Sequence, residues 1–242
     1  MGEWFNELRD EFILNFIDDN RWKYLTDGLL VTLEVTFFAL ILGVAIGIVV
    51  SLIRTTHDKT ISTMRKGIGY YLLKLCNMVC HIYLTVIRGT PVVVQILLAY
   101  FVIFSSSNNK VFVAVLAFGI NSGAYVAEIL RGGIMSVDQG QLEAGRSLGF
   151  NYAKTMIYIV IPQAFKNALP SLANEFIVLL KETAVSGYIA LEDLTKGADI
   201  IRGRTYSPLM PLLAAALIYL VIVIILTKLI KILERRLRNS ER

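Results

Sequence analysis

The chain is poor in charge: 24 basic and 19 acidic residues make up 18% of its 242 positions, against about 25% in an ordinary soluble domain. A water-soluble globule is excluded. Two cysteines, Cys76 and Cys80, are too few for a disulfide scaffold. Five prolines beside 17 glycines in so apolar a chain argue against collagen, disorder and low-complexity tracts. Only two histidines occur, on separate segments, which speaks against a membrane enzyme with clustered ligands or acid–base groups. No Gly-x4-Gly-Lys-Ser/Thr phosphate loop is found, so any nucleotide chemistry has to come from another chain.

What the chain has instead is apolar side chain, at 55% hydrophobic residues and a mean hydropathy of +0.61. A crossing helix needs roughly 20 mostly apolar residues, because lipid offers backbone N–H and C=O groups no partner. Five segments qualify: Leu29 to Ile53, a stretch within Tyr70 to Phe104, Val111 to Leu130, Pro170 to Ala190, and Leu209 to Leu229. The second would make a helix of about 52 Å, too long for one straight crossing, and Pro91 predicts a break in it. Trp4 to Trp22 is amphipathic and too polar to cross, so it is expected at the interface. It lacks the basic start and small-residue cleavage site of a signal peptide.

Orientation follows from the loops. With the N-terminus outside, the inner segments hold 14 basic residues in 64 and the outer ones 7 in 50, the bias that marks a cytoplasmic side. The expected fold is all-α and integral to the membrane, with five transmembrane helices, N-terminus outside and C-terminus inside. Residues 1–27 form the interfacial segment, 28–232 the transmembrane domain and 233–242 a basic tail.

About 40 residues join the third and fourth segments, and connections longer than about 12 residues tend to carry function. Residues 138–149 read as a short helix with Leu142, Gly145 and Gly149 on one side and Gly149 as its C-cap. Tyr152, Met156, Ile159 and Val160 follow at i, i+4, i+7 and i+8, an amphipathic run expected to stop at Pro162. The short helix is either a knob for another protein's groove or half of an interfacial hairpin, and spacing alone fits both.

A charge at mid-bilayer costs about 2.5–3.5 kcal/mol on insertion scales, so such groups face protein or water. Glu34 and Lys74 lie near span ends, where headgroups or snorkelling account for them. Asn121, Tyr125 and Glu128, at i, i+4 and i+7, share a face that could line a passage. Glu128 can meet an ammonium while Arg88 or Lys181 meets a carboxylate; equally, Glu128 can pair with Arg131 or Lys181 and only fix helix packing. Glu175 and Glu182 share a face, as do Asn174 and Lys181. Gly89 and Pro91 flank Thr90 beside Arg88, marking a hinge or a substrate contact, with Gln95 on the next turn. Cys76, Cys80 and His81 read as core packing and not as a metal site. His57 reads as solvated in the inner loop, and Gly43 with Gly47 as a small-residue pair for close helix contact.

The string Glu143-Ala144-x3-Leu148-Gly149-x9-Ile159-x-Ile161-Pro162 resembles the EAA loop, here residues 140–162, of permease subunits of ATP-binding-cassette importers. Arg88-Gly89-Thr90-Pro91-x3-Gln95, Ala124-Tyr125-x-Ala127-Glu128-Ile129-x-Arg131-Gly132 and Lys181-x-Thr183 are similar to the polar-amino-acid branch, whose members include histidine, glutamine, arginine and cystine permeases. The likeness runs from about Gly28 to the tail. One departure stands in the fourth segment, Lys181-Glu182-Thr183-Ala184-Val185, where the branch commonly has Lys-Asp/Asn-Thr-Ser-Leu. The resemblance implies the type I importer fold in a bacterial plasma membrane and a non-enzymatic transport subunit with no cofactor of its own. It further implies a second permease subunit, a cytoplasmic ATPase pair that binds ATP and Mg, and an extracytoplasmic amino-acid-binding protein. By it, Glu143, Ala144, Arg146, Leu148 and Gly149 couple to the ATPase, while Arg88, Thr90, Gln95, Asn121, Tyr125, Glu128, Lys181 and Thr183 serve translocation. A passive channel subunit, the remaining alternative, would need no docking loop.

Overall fold

The computed structural model describes residues 2–239; Met1 of the interfacial segment and the last three residues of the tail lie outside the described residues. Among these residues there are helices and turns and no strand. In chain order they are α1 (Gly2–Phe12), α2 (Trp22–Thr60), α3 (Ile68–Gly89), α4 (Val92–Leu98), α5 (Lys110–Met135), α6 (Gln139–Ser147), α7 (Tyr152–Thr155), α8 (Ile161–Glu182), α9 (Leu194–Thr205) and α10 (Leu209–Asn239). Four are long and apolar enough to cross a membrane: α2, α3, α5 and α10. The expected fourth span differs in bounds and character. Its helix begins at Ile161, carries Lys166, Glu175, Lys181 and Glu182, and gives way at Thr183 to a 3₁₀ turn through Ile189.

Prolines act in two ways. Before Pro91 the chain leaves the helix: Thr90 is extended at φ −123°, ψ 146°, as the residue before a proline prefers. The Thr90 hydroxyl donates to the Val86 carbonyl at 2.8 Å, satisfying one acceptor that the helix end orphans. Pro162, by contrast, does not end its helix. A π-turn over Met156–Val160 links α7 to α8, and the Ile161 N–H bonds to the Met156 carbonyl, so the widened turn delivers Pro162 to the first turn of α8, where a missing N–H is tolerated. The loop after the first span is also shorter than expected, since α2 runs on to Thr60 and includes His57.

The chain forms two compact units, and α2, α5, α8 and α10 each contribute to both. The first gathers the residues up to Ala39, Val92–Phe118 and Ile177–Lys228. Its core joins Phe16 and Leu25 to Leu194, Ala198 and Ile201 of α9 and Ala215 of α10. The seam is tight: a Cβ on Gly28 would lie 2.6 Å from the Asp193 carbonyl oxygen, and Thr32 Oγ1 accepts from the Leu194 N–H at 3.1 Å. The second unit holds Leu40–Pro91, Gly119–Phe176 and Leu229 onward. There Val50, Cys80, Leu84, Ala124 and Ala127 pack α2, α3 and α5 together. Gly43 and Gly47 of α2 lie directly against Ser122 and Val126 of α5, the close approach that small residues permit.

Candidate functional site

Within the second unit, α3 and α5 bring Arg88, Tyr125 and Glu128 together. Arg88 Nη1 lies 3.8 Å from Glu128 Oε1, and Arg131 Nη1 3.9 Å from Glu128 Oε2. The Arg88 guanidinium also sits 5.7 Å from the Tyr125 ring centroid, within cation–π reach. Arg131 is held from its other side by Asp58 of α2, its Nη2 donating to Oδ2 at 3.0 Å. Both Glu128 contacts are longer than a hydrogen bond, and the carboxylate is 33% exposed; pairs of this kind contribute only about 0.2–1 kcal/mol. Glu128 is therefore flanked by cations without being locked to either, so a ligand ammonium can compete for it.

Asn121 is placed differently from its expected face-mates. It is buried, at 3% exposure, whereas Tyr125 is 37% exposed. Next to it Ser122 Oγ donates to Glu175 Oε1 at 2.9 Å, both groups buried. This contact supplies the α8 carboxylate with a partner that reasoning along single helices missed. Thr90 stands at the α3–α4 break described above.

Gln95, Lys181 and Thr183 belong to the first unit. Gln95 is half-buried on α4, Lys181 exposed near the end of α8, and Thr183 buried with its hydroxyl donating to the Leu180 carbonyl at 2.7 Å. In the same unit Asp193 caps α9, accepting from the Thr195 and Lys196 N–H groups at 3.1 Å each. Burial raises its carboxyl above the usual range, against those bonds. Asp199 is held below the ordinary range by hydrogen bonds from Lys196 and Arg202, with Lys196 Nζ at 2.8 Å from Oδ2. Neither residue was singled out in the sequence, since a cap and a local ion pair carry no functional signature.

The second cluster is α6. Asp138 caps it, accepting from the Gly140 N–H at 2.6 Å. At its other end Gly149 N–H bonds to the Arg146 carbonyl and Phe150 N–H to the Gly145 carbonyl. These two bonds make a Schellman motif with Gly149 at φ +85°, a conformation that favours glycine. Gly145 is buried against Thr155 and Ile159, and Leu142 packs with Met156 and Val160. Glu143, Ala144, Arg146, Leu148 and Gly149 are left exposed, Leu148 at 76%. Gln139 Nε2 donates to Glu143 Oε1 at 3.1 Å. The helix is a short knob, pinned from within and presenting two apolar and two charged side chains outward. No group of three or more metal-ligating side chains occurs among the described residues.

Residues 67–239 match the family model described as the binding-protein-dependent transport system inner membrane component. The chain is 38% identical over 221 residues to the arginine transport system permease protein ArtQ of Bacillus subtilis, covering 90% of this chain and 94% of that one. It is 34% identical over 219 residues to the glutamine transport system permease protein GlnP of Escherichia coli, covering 88% and 93%. Among solved structures it resembles the crystal structure of an amino acid ABC transporter with histidines, at a TM-score of 0.78 and 42% identity, covering 91% of this chain and 98% of that one. The MetNI methionine ABC transporter in an inward-facing conformation shares the fold at a TM-score of 0.72 and 15% identity, covering 88% and 96%. With its apolar helices this is a multi-pass membrane protein, and the chain belongs to the family of binding-protein-dependent transport system inner membrane components.

Proposed function

We propose that this chain is the transmembrane subunit of an ATP-driven importer that carries polar amino acids across the bacterial plasma membrane. The observation that carries the reading is α6: a capped, glycine-seated helix whose Glu143, Ala144, Arg146 and Leu148 project outward, as a knob for an ATPase groove would. The chain itself performs no covalent chemistry. A cytoplasmic ATPase pair binds ATP and Mg, an extracytoplasmic binding protein delivers the amino acid, and a second permease subunit, identical or related, completes the path.

In this reading the chain crosses five times, N-terminus outside and C-terminus inside, with α8 as the additional crossing. Ser122 meets Glu175 inside the protein, so that α8 charge is not offered to lipid. The basic bias of 14 in 64 against 7 in 50 puts α6 in the cytoplasm. Residues 28–232 form the transmembrane domain, 1–27 the interfacial segment and 233–242 the tail.

A free amino acid entering a low-dielectric site needs partners for both charges. Glu128 takes the ammonium, exchanging its long contacts with two cations for a short one, while Arg88 turns to the carboxylate over the Tyr125 ring. Thr90 and Asn121 of the same unit supply further polar groups, and Gln95, Lys181 and Thr183 serve translocation elsewhere along the chain. ATP-driven closure of the ATPase pair draws the α6 knobs together and opens the permease dimer outward; hydrolysis resets it.

The test is reconstitution of the complete complex in liposomes with radiolabelled arginine, glutamine, histidine and cystine. Uptake that requires both ATP and the binding protein is expected. Solute leakage by the permease alone would instead identify a passive channel. Replacing Gly149 by a bulky residue should weaken the permease's stimulation of the ATPase, and undiminished stimulation contradicts docking through α6.

A further inference from the structure

The polar side chains of α3 do not scatter around the helix. Lys74, Asn77, His81, Thr85 and Arg88 recur at i, i+3, i+7, i+11 and i+14, spacings that stack on one face. Lys74, His81, Thr85 and Arg88 are exposed and Asn77 half-buried. Nearly opposite runs an apolar row, Leu72, Val79 and Val86, exposed at 59%, 56% and 52%. The two rows need different neighbours. Acyl chains suit the apolar row, whereas a polar or charged group held at membrane depth faces protein or water.

Snorkelling relieves a lysine near a helix end but not His81, about 10 Å further along at 1.5 Å per residue. From Lys74 to Arg88 the stripe extends about 21 Å, most of a hydrocarbon core of about 30 Å. A lipid headgroup would serve only one end of it.

At the Lys74 end an open groove of about 570 Å³ lies between His57 of α2 and α3, where Lys74, Asn77 and His81 are set among Tyr71, Leu75, Met78 and Ile82. Asn77 also borders it, its own Oδ1 buried beneath the surface. Thr85 Oγ1 donates its one proton to the His81 carbonyl at 2.9 Å, so at 3.0 Å it accepts from His81 Nδ1. That bond fixes the ring and leaves Nε2 as an acceptor for a donor in the cavity.

We propose that the α3 stripe walls the water-filled part of the translocation path, and that the Lys74–His81 cavity receives the cargo on the cytoplasmic side after it leaves Arg88, Lys74 meeting its carboxylate and His81 Nε2 accepting from its ammonium. The proposal rests on the permease reading above and adds to it a second polar station, with His81 and Lys74 as its ligands.

The experiment uses the full complex in proteoliposomes with single cysteines placed, in a C76A/C80A background, at 74, 81 and 85 of the stripe and at 72, 79 and 86 of the apolar row. The probe is the water-soluble anion 2-sulfonatoethyl methanethiosulfonate. Positions 81 and 85 should react about tenfold or more faster than 79 and 86, as water access dictates, and transported amino acid should slow labelling at 81. Labelling confined to position 74 makes the cavity a headgroup site and overturns the proposal. Equal labelling of both rows, or none in any nucleotide state, overturns it too.

Should the cysteine-free background fail to fold, uptake in the native background decides: His81→Leu should slow it about tenfold and His81→Gln, which keeps an acceptor, by clearly less, and equal rates for both refute the role. Wild-type uptake without labelling at 81 and 85 sinks the stripe alone. Absence of uptake with rapid labelling there sinks the permease reading, and the cargo role of the cavity with it.

Discussion

Placing a single methyl group on Gly145 tests how α6 is seated. A Cβ at this position would lie 2.5 Å from Thr155 Cγ2, 2.9 Å from Ile159 Cδ1 and 3.1 Å from Thr155 Oγ1. Carbon atoms pack at about 3.5–4.0 Å, so α6 must lift by roughly an ångström or its neighbours must turn. Thr155 resists turning, because its hydroxyl donates to the Asn151 carbonyl at 3.0 Å. Overpacking of this kind costs about 1–3 kcal/mol, which shifts the population of the seated helix about 5–150-fold. Gly145→Ala should therefore lower the permease's stimulation of ATP hydrolysis by at least about fivefold in the reconstituted complex, with a lower melting temperature. Thr155→Ser deletes the closest methyl and keeps the hydroxyl, so Gly145→Ala/Thr155→Ser should recover much of the loss. Unchanged ATPase stimulation in Gly145→Ala would refute the seating argument, and so would a double variant no better than the single one.

Glu128→Gln keeps shape but removes the charge between Arg88 and Arg131. Since Asp58 still holds Arg131, melting should barely move while amino-acid uptake falls about tenfold or more, the worth of a charged hydrogen bond. Gly197→Ala sets a methyl onto the Tyr24 carbonyl oxygen, backbone that cannot swing aside, and should destabilise by about 1–3 kcal/mol in thermal melts. Asp199 is depressed by Lys196 and Arg202, so its contribution is present above the unfolded value near 3.8 and fades as pH falls through the lower folded one. The melting gap between wild type and Asp199→Asn should hold at neutral pH and close in acid below that value; a gap that widens there contradicts the sign.

The sequence by itself determined much of what local chemistry decides. Apolar runs long enough to cross lipid locate α2, α3, α5 and α10, because desolvation of the backbone allows little else there. Pro91 announces the end of α3, and Gly149 the end of α6, because each acts within a few residues of itself. Spacing also put Tyr125 and Glu128 on one face of α5. What the sequence could not decide are the meetings of residues far apart in the chain: Arg131 with Asp58, 73 residues away, and Ser122 with Glu175, 53 away. These depend on which faces of α2, α3, α5 and α8 pack together, a choice made jointly by Gly43, Gly47 and the side chains they admit. The same holds at Pro162, where a π-turn absorbs the missing donor and joins α7 to α8. Only tertiary packing tells a proline that ends a helix from one that a helix absorbs, because the backbone groups it frees find their partners in space.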